Sequence, residues 1–153
     1  MRLNPYRAFV ISTVVILAFT GIAKIFSALG KSKVLTVVDP ILGVEFGHLI
    51  LLVGVVEITI ALVLLLHKET VVGNCLVALL ATNFVVYRLG LWWINWNRPC
   101  GCLGNLMDAI HISPQIADTV MKCVLAYLLI GSYASLVSSG VKHRSPVHRD
   151  PLV

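Results

Sequence analysis

The sequence predicts an all-α fold, an integral membrane four-helix bundle, and three observations predict it. Hydrophobic residues make up 58% of the chain and charged residues only 12%, at a mean hydropathy of +0.93, far from the composition of a soluble domain. Four segments, 8–29, 47–66, 71–94 and 117–138, reach the roughly 20 apolar residues needed to cross a hydrocarbon core about 30 Å thick. The sequence between them is short. The 153 residues therefore divide into a transmembrane domain over 1–139 and a basic tail over 140–153, which leaves no room for a separate soluble catalytic domain.

The first helix follows the charged start "MRLNPYR". Its apolar run of about 20 residues is longer than the 7 to 15 of a signal-peptide core, and Lys24 lies between that run and the small residues "SALG", so a retained helix is favoured over a cleaved leader. A loop over 30–46 leads to the second helix, "GVVEITIALVLLL", which carries Glu57 inside an otherwise apolar stretch. The tight turn "HKET" joins it to the third helix, which holds Arg88 and ends in an aromatic belt of Trp92, Trp93 and Trp96 with Tyr87 one turn deeper. The loop over 95–116 contains "NRPCGCLGNL" and precedes the fourth helix.

Lysines and arginines set the orientation, because cytoplasmic flanks are enriched in them. Arg2, Arg7, Lys68, Lys142, Arg144 and Arg149 fall on one side, and Lys31, Lys33 and Arg98 on the other. Both termini are thus expected in the cytoplasm of a bacterial inner membrane, with the 95–116 loop in the periplasm, where thiols are driven toward disulfides. The net charge of +5 is read as this topology signal, with the tail also able to touch anionic lipid; no pattern points to nucleic acid.

Depth then singles out three charges. At 1.5 Å per residue, Lys24 lies about 8 Å, Glu57 about 15 Å and Arg88 about 9 Å below the outer ends of their helices. An unpaired charge at the centre of a transmembrane helix costs about 2.5 to 3.5 kcal/mol, so these groups should face the bundle interior, with Glu57 paired to Lys24 or Arg88. Lys24, near a helix end, has snorkelling to the headgroups as its alternative. Gly21, Ser27, Gly54, Thr59, Gly73, Asn74, Ala78, Thr82 and Asn83 are small or polar residues suited to close helix approach.

Of four cysteines, Cys75 reads as a small buried hydrophobe near the inner end of the third helix. Cys123 lies about 9 Å below the outer surface, level with Arg88. Cys100 and Cys102 alone are in the loop, among Pro99, Gly101 and Gly104, which permit turn conformations. A Cys-x-Cys bridge closes a very small ring and adds little stability; strained and exposed, it belongs to the labile, exchangeable type. Arg98 favours a thiolate beside it. Zinc binding by Cys100, Cys102 and His111 is the lesser alternative, because the spacing is one residue too short and a fourth ligand is missing, so no metal is expected. Inert structural cysteines are the third.

These residues resemble the MauE family of methylamine-utilisation membrane proteins, within the wider DoxX-like group of small four-helix membrane proteins. The similarity runs from Phe9 to about Ser138 and rests on "GIAKIFSALG", on "GVVEITIALVLLL" with Glu57, and on "RPCGCLG". Leu103 stands where family members carry an aromatic residue after the second cysteine. The resemblance implies transfer of electrons or disulfides at the membrane with a thioredoxin-like partner, supporting oxidative maturation of another protein, and the DoxX-like relatives suggest a quinone as acceptor.

The sequence-based expectation is therefore a thiol-disulfide oxidoreductase in the lipid bilayer. Cys100 and Cys102 cycle between dithiol and disulfide, Cys100 being favoured as the exchanging sulfur, while Glu57, Lys24 and Arg88 form a polar network that moves protons. Two alternatives stand beside it: a non-enzymatic scaffold subunit of a redox complex, and a small transporter coupled to protons through Glu57. The partner's identity, the direction of electron flow and the oligomeric state are not encoded in any motif.

Overall fold

A computed structural model describes residues 5–30, 33–66, 71–96 and 113–142. Among them lie four long helices: α1 over Pro5–Ala28, α2 over Phe46–Leu66, α3 over Val71–Trp93 and α4 over Pro114–Lys142. All four are long and apolar enough to cross a membrane. A single 3-10 turn, Lys33–Thr36, lies between α1 and α2. The end of the bundle where α1 begins is called proximal below, and the opposite end distal.

Local chemistry explains the helix ends. Hydropathy alone starts the first and last helices at 8 and 117, but both begin earlier, at Pro5 and Pro114, because the fixed φ of proline suits the first helical position and its missing N–H is not needed there. The Ser113 carbonyl accepts the first turn's bond, from the Ile116 amide at 3.0 Å. The last helix also runs past Gly140, where the basic tail was expected to begin, to Lys142. At the distal end of α3, Asn95 takes φ 58°, a left-handed conformation asparagine tolerates, and the Trp96 amide reaches back to the Leu91 carbonyl at 3.0 Å. Trp92 and Trp93 beside it are exposed at the helix end, as interfacial anchors are.

The bundle is two helical hairpins, α1 with α2 and α3 with α4, laid side by side. Within the first, Gly21 and Gly54 face each other so closely that a Cβ on either would come within about 3 Å of the other's carbonyl oxygen, at 2.9 and 3.0 Å. Absent side chains let the backbones touch. Between the hairpins, Val14 and Leu17 of α1, Ile60, Ala61 and Leu64 of α2, Val77 and Ala81 of α3, and Leu128 of α4 form the apolar core.

Aromatic and polar groups fasten one hairpin to the other. Towards the proximal end, the Asn74 amide donates to the Tyr6 hydroxyl at 3.2 Å, and Ser12 and Tyr127 share a hydroxyl–hydroxyl bond of 2.6 Å. A Cβ added at Gly131 would meet the Phe9 ring, so a larger residue there would have to displace that ring. At the distal end the α1–α2 connection folds over α3. Buried Asp39 accepts the amides of Ile41 and Leu42 at 2.9 and 2.8 Å on Oδ1, while its Oδ2 accepts the Tyr87 hydroxyl, and Gly43 closes the turn at φ 67°. Tyr87 is thus tied to this connection.

Glycine contacts differ in what they tolerate. Gly54→Val should cost about 1–3 kcal/mol of unfolding free energy, because the added carbons meet a backbone carbonyl that cannot move aside. Gly90→Ala, whose new Cβ meets only the mobile tip of Ile41 at 2.9 Å, should stay within about 0.5 kcal/mol. Denaturant titration of the purified protein in detergent measures both, and equal effects would contradict the close approach of α1 and α2.

Candidate functional site

The α1–α2 contact places the deepest charges. Gly21 and Gly54 set the two helices at backbone contact, with the Lys24 Cβ 3.2 Å from where a Gly54 Cβ would stand. Side chains on a helix lean toward its N-terminus, so Lys24 of α1 leans away from the nearby distal end and down into the bilayer. Glu57, about 16 Å from the distal start of α2, meets it there. The side chains are 2% and 4% exposed, so Lys24 does not snorkel, and its Nζ donates to Glu57 Oε1 at 2.5 Å.

Other groups also serve the pair. Glu57 Oε2 lies 3.0 Å from Thr20 Oγ1, which in turn lies 2.9 Å from the Ile16 carbonyl, and the Phe84 ring of α3 covers the ammonium with its centroid 5.4 Å away. Thr20 has one hydroxyl proton to share between these two acceptors.

Arg88 does not reach Glu57 in this arrangement. Its Nη2 donates to Asp118 Oδ1 of α4 at 2.6 Å, and Lys122 holds the other carboxylate oxygen at 2.7 Å. Two cations thus share one carboxylate. Arg88 lies about 8 Å before the end of α3 and Asp118 about 6 Å after the start of α4, which are the two helix ends bordering residues 97–112. Both lines of charge border one cavity of about 50 Å³, with Lys24, Glu57 and Thr20 on one wall and Arg88 and Lys122 on another.

Cys100 and Cys102 lie outside the described residues, as do Arg98, Pro99, Gly101, Leu103, Gly104 and His111. Cys75 is exposed on α3, contrary to the expectation that it is buried; a small thiol on the lipid-facing side of a helix loses nothing by it. Cys123 is exposed on α4 as well. Thr59 and Asn83 face outward and bond to carbonyls four residues back, at 2.8 and 3.0 Å, so neither serves close helix approach. Among the described residues no three His, Cys, Asp or Glu side chains converge as metal ligands would.

Two acidic residues escaped the sequence reading. Asp118 opens an apolar run and was masked by its closeness to the helix start, though its spacing to Lys122, four residues on, is that of a helical ion pair. Asp39 sits in "VVDPILG", where an aspartate ahead of Pro and Gly is an Asx-turn signal, and it proves wholly buried.

The family model described as methylamine utilisation protein MauE matches the chain over residues 4–137. No curated protein and no solved structure matches it.

Breaking the buried pair on one side only should be far costlier than removing it whole. Glu57→Leu strands the Lys24 ammonium and should cost about 3–5 kcal/mol, whereas the double change Lys24→Met with Glu57→Leu should recover most of that loss. Asp118→Asn, whose partners are about a quarter or more exposed, should cost less than about 1 kcal/mol. A double-mutant cycle of unfolding free energies in detergent reads all three, and an additive cycle would show that the pair is not coupled.

Proposed function

The chain belongs to the MauE family of methylamine utilisation proteins, and we propose that it is a membrane thiol-disulfide redox protein that exchanges with a periplasmic thioredoxin-like partner through Cys100 and Cys102. The observation that carries this reading is the Arg88–Asp118–Lys122 cluster, which sets two cations around one carboxylate at the two helix ends that border the cysteine segment. Positive potential stabilises a thiolate over a thiol, and the thiolate is the species that exchanges. Family membership supports a membrane accessory role, within which exchange is the finer proposal.

The chemistry balances as follows. A thiolate of the partner attacks one sulfur of the Cys100–Cys102 disulfide, Cys100 on this reading; the S–S bond breaks, Cys102 leaves as thiolate and a mixed disulfide forms. The partner's second thiolate then attacks its own sulfur of that mixed bond, so that the partner leaves oxidised and the pair stays reduced. Reoxidation forms the Cys100–Cys102 bond again and delivers two electrons and two protons to a membrane acceptor. Glu57, hydrogen-bonded to Thr20 on the wall of the shared cavity, is the carboxylate assigned on this reading to carry one of those protons.

A membrane-impermeant maleimide applied to intact cells tests the proposal. Label should reach Cys100 and Cys102 only after mild reduction, and Cys102→Ser, which cannot close the bridge, should leave Cys100 open to label without it. Thiols that are free at all times, together with full function of the Cys100→Ser/Cys102→Ser variant, would instead leave a scaffold role.

A further inference from the structure

The connection between α1 and α2 carries an apolar surface that the four helices leave over. It doubles back on itself, with Val38 and Glu45 paired in an isolated antiparallel bridge, and Val38, Ile41, Leu42 and Val44 are all exposed. Four exposed aliphatic side chains in so short a stretch mark a surface that meets either a protein or a membrane.

Depth decides between the two. Trp92 and Trp93, exposed at the distal end of α3, stand where headgroups meet hydrocarbon, and the turn lies on the hydrocarbon side of them. Ile41 abuts Gly90, its Cδ1 2.9 Å from where a Cβ would stand, and Gly90 is about 5 Å deeper than Trp93. Asp39 accepts the hydroxyl of Tyr87, which is about 9 Å deeper than Trp93. On the opposite side of Lys24 and Phe84 from the small cavity, Ile41 and Leu42 also border a second cavity, of about 440 Å³, between α2 and α3, whose lining is almost wholly apolar.

The backbone of the turn is prepared for that depth. The amides of Asp39, Gly43 and Phe46 donate to the carbonyls of Val44, Asp39 and Val37 at 2.8, 2.9 and 3.0 Å, those of Ile41 and Leu42 donate to Asp39 Oδ1, and Pro40 has none. In water such amides could be left to solvent; in hydrocarbon they cannot. Asp39 itself is wholly buried with both carboxylate oxygens in use. Glu45 and His48, with side chains 54% and 78% exposed, stand at the head of α2, where the chain is back at the polar level.

We propose that residues 38–44 are a re-entrant turn seated in the distal leaflet, with Val38, Ile41, Leu42 and Val44 against acyl chains. This surface continues the lipid-facing sides of α2 and α3, where Leu52 and Val86, beside the same cavity, are exposed as well. The turn thereby covers the seam on the distal side of Lys24 with apolar groups.

The test is the depth of single nitroxide labels on the full chain in phosphatidylethanolamine–phosphatidylglycerol nanodiscs, in a background of Cys75→Ser, Cys100→Ser, Cys102→Ser and Cys123→Ser. Labels at Ile41→Cys, Leu42→Cys and Val44→Cys should collide with oxygen and lose collisions with aqueous nickel–EDTA diacetate, as a label at Leu52→Cys does, while Glu45→Cys should keep its nickel collisions. Labels at 41 and 42 that meet nickel as often as the one at 45 overturn the proposal and leave a docking surface for a soluble protein. Should the serine background not fold, the native chain decides. Leu42→Asp should lower the thermal midpoint in the same nanodiscs further than Leu42→Ala, which loses the same packing without adding a charge, and equal midpoints overturn the membrane seat. Neither measurement depends on Cys100 or Cys102, so the outcome is independent of the exchange reading.

Discussion

A carboxylate in the middle of a bilayer has to be matched, and the Lys24–Glu57 pair is the constraint from which the rest of this bundle can be read. Burying both charges is tolerable only with good geometry and with the leftover donors and acceptors satisfied. That demand explains the local sequence around it. Gly21 and Gly54 bring α1 and α2 to backbone contact so that a lysine nearer the membrane surface can reach a glutamate below it. Thr20 is one turn away on the same face to serve the second carboxylate oxygen, and Phe84 crosses from the other hairpin to cover the ammonium. Three of the four helices therefore meet at one ion pair.

The same constraint explains why the two hairpins do not merge into one seamless core. Around the pair, each hairpin is satisfied internally, and the contact between them falls to the apolar core and to a few long side chains: Tyr6 with Asn74, Tyr127 with Ser12, Tyr87 with Asp39. Such rivets hold the proximal and distal ends and leave the seam between open at the level of Lys24 and Phe84. A cavity lies on either side of them, one bordered by the charged cluster and one nearly apolar. Lys24 and Phe84 are common to both walls.

Much of this was legible in the sequence because the bilayer limits the solutions. Four apolar runs of membrane length admit hardly anything but four helices, and a glutamate too short to reach water had to find a cation inside. The choice between Lys24 and Arg88 was not legible, because depth is read from helix ends whereas rotation and register are set by packing. Gly21 and Gly54 made the choice, and their facing each other is visible only in three dimensions. Asp39 and Asp118 were missed for a related reason: a carboxylate near a helix boundary looks solvated until the neighbouring connection or helix is seen to cover it. Cys75 erred the other way, since a thiol is as comfortable against lipid as against protein.

The proposed redox role gains coherence from how charge is distributed with depth. A site that exchanges with a soluble partner needs a stabilised thiolate near the membrane surface, and the two cations of the Arg88–Asp118–Lys122 group lie about one to two helical turns from the relevant helix ends. A site that hands two electrons and two protons to a lipid-soluble acceptor needs the reverse: no net field and an apolar enclosure. Lys24 and Glu57 cancel, and Thr20 serves the second carboxylate oxygen. With the Arg88–Asp118–Lys122 cluster near the surface and the buried pair in the interior, the two proposed half-reactions would have different environments, and in a chain this small that difference depends on Glu57 taking Lys24 for its partner and leaving Arg88 to Asp118.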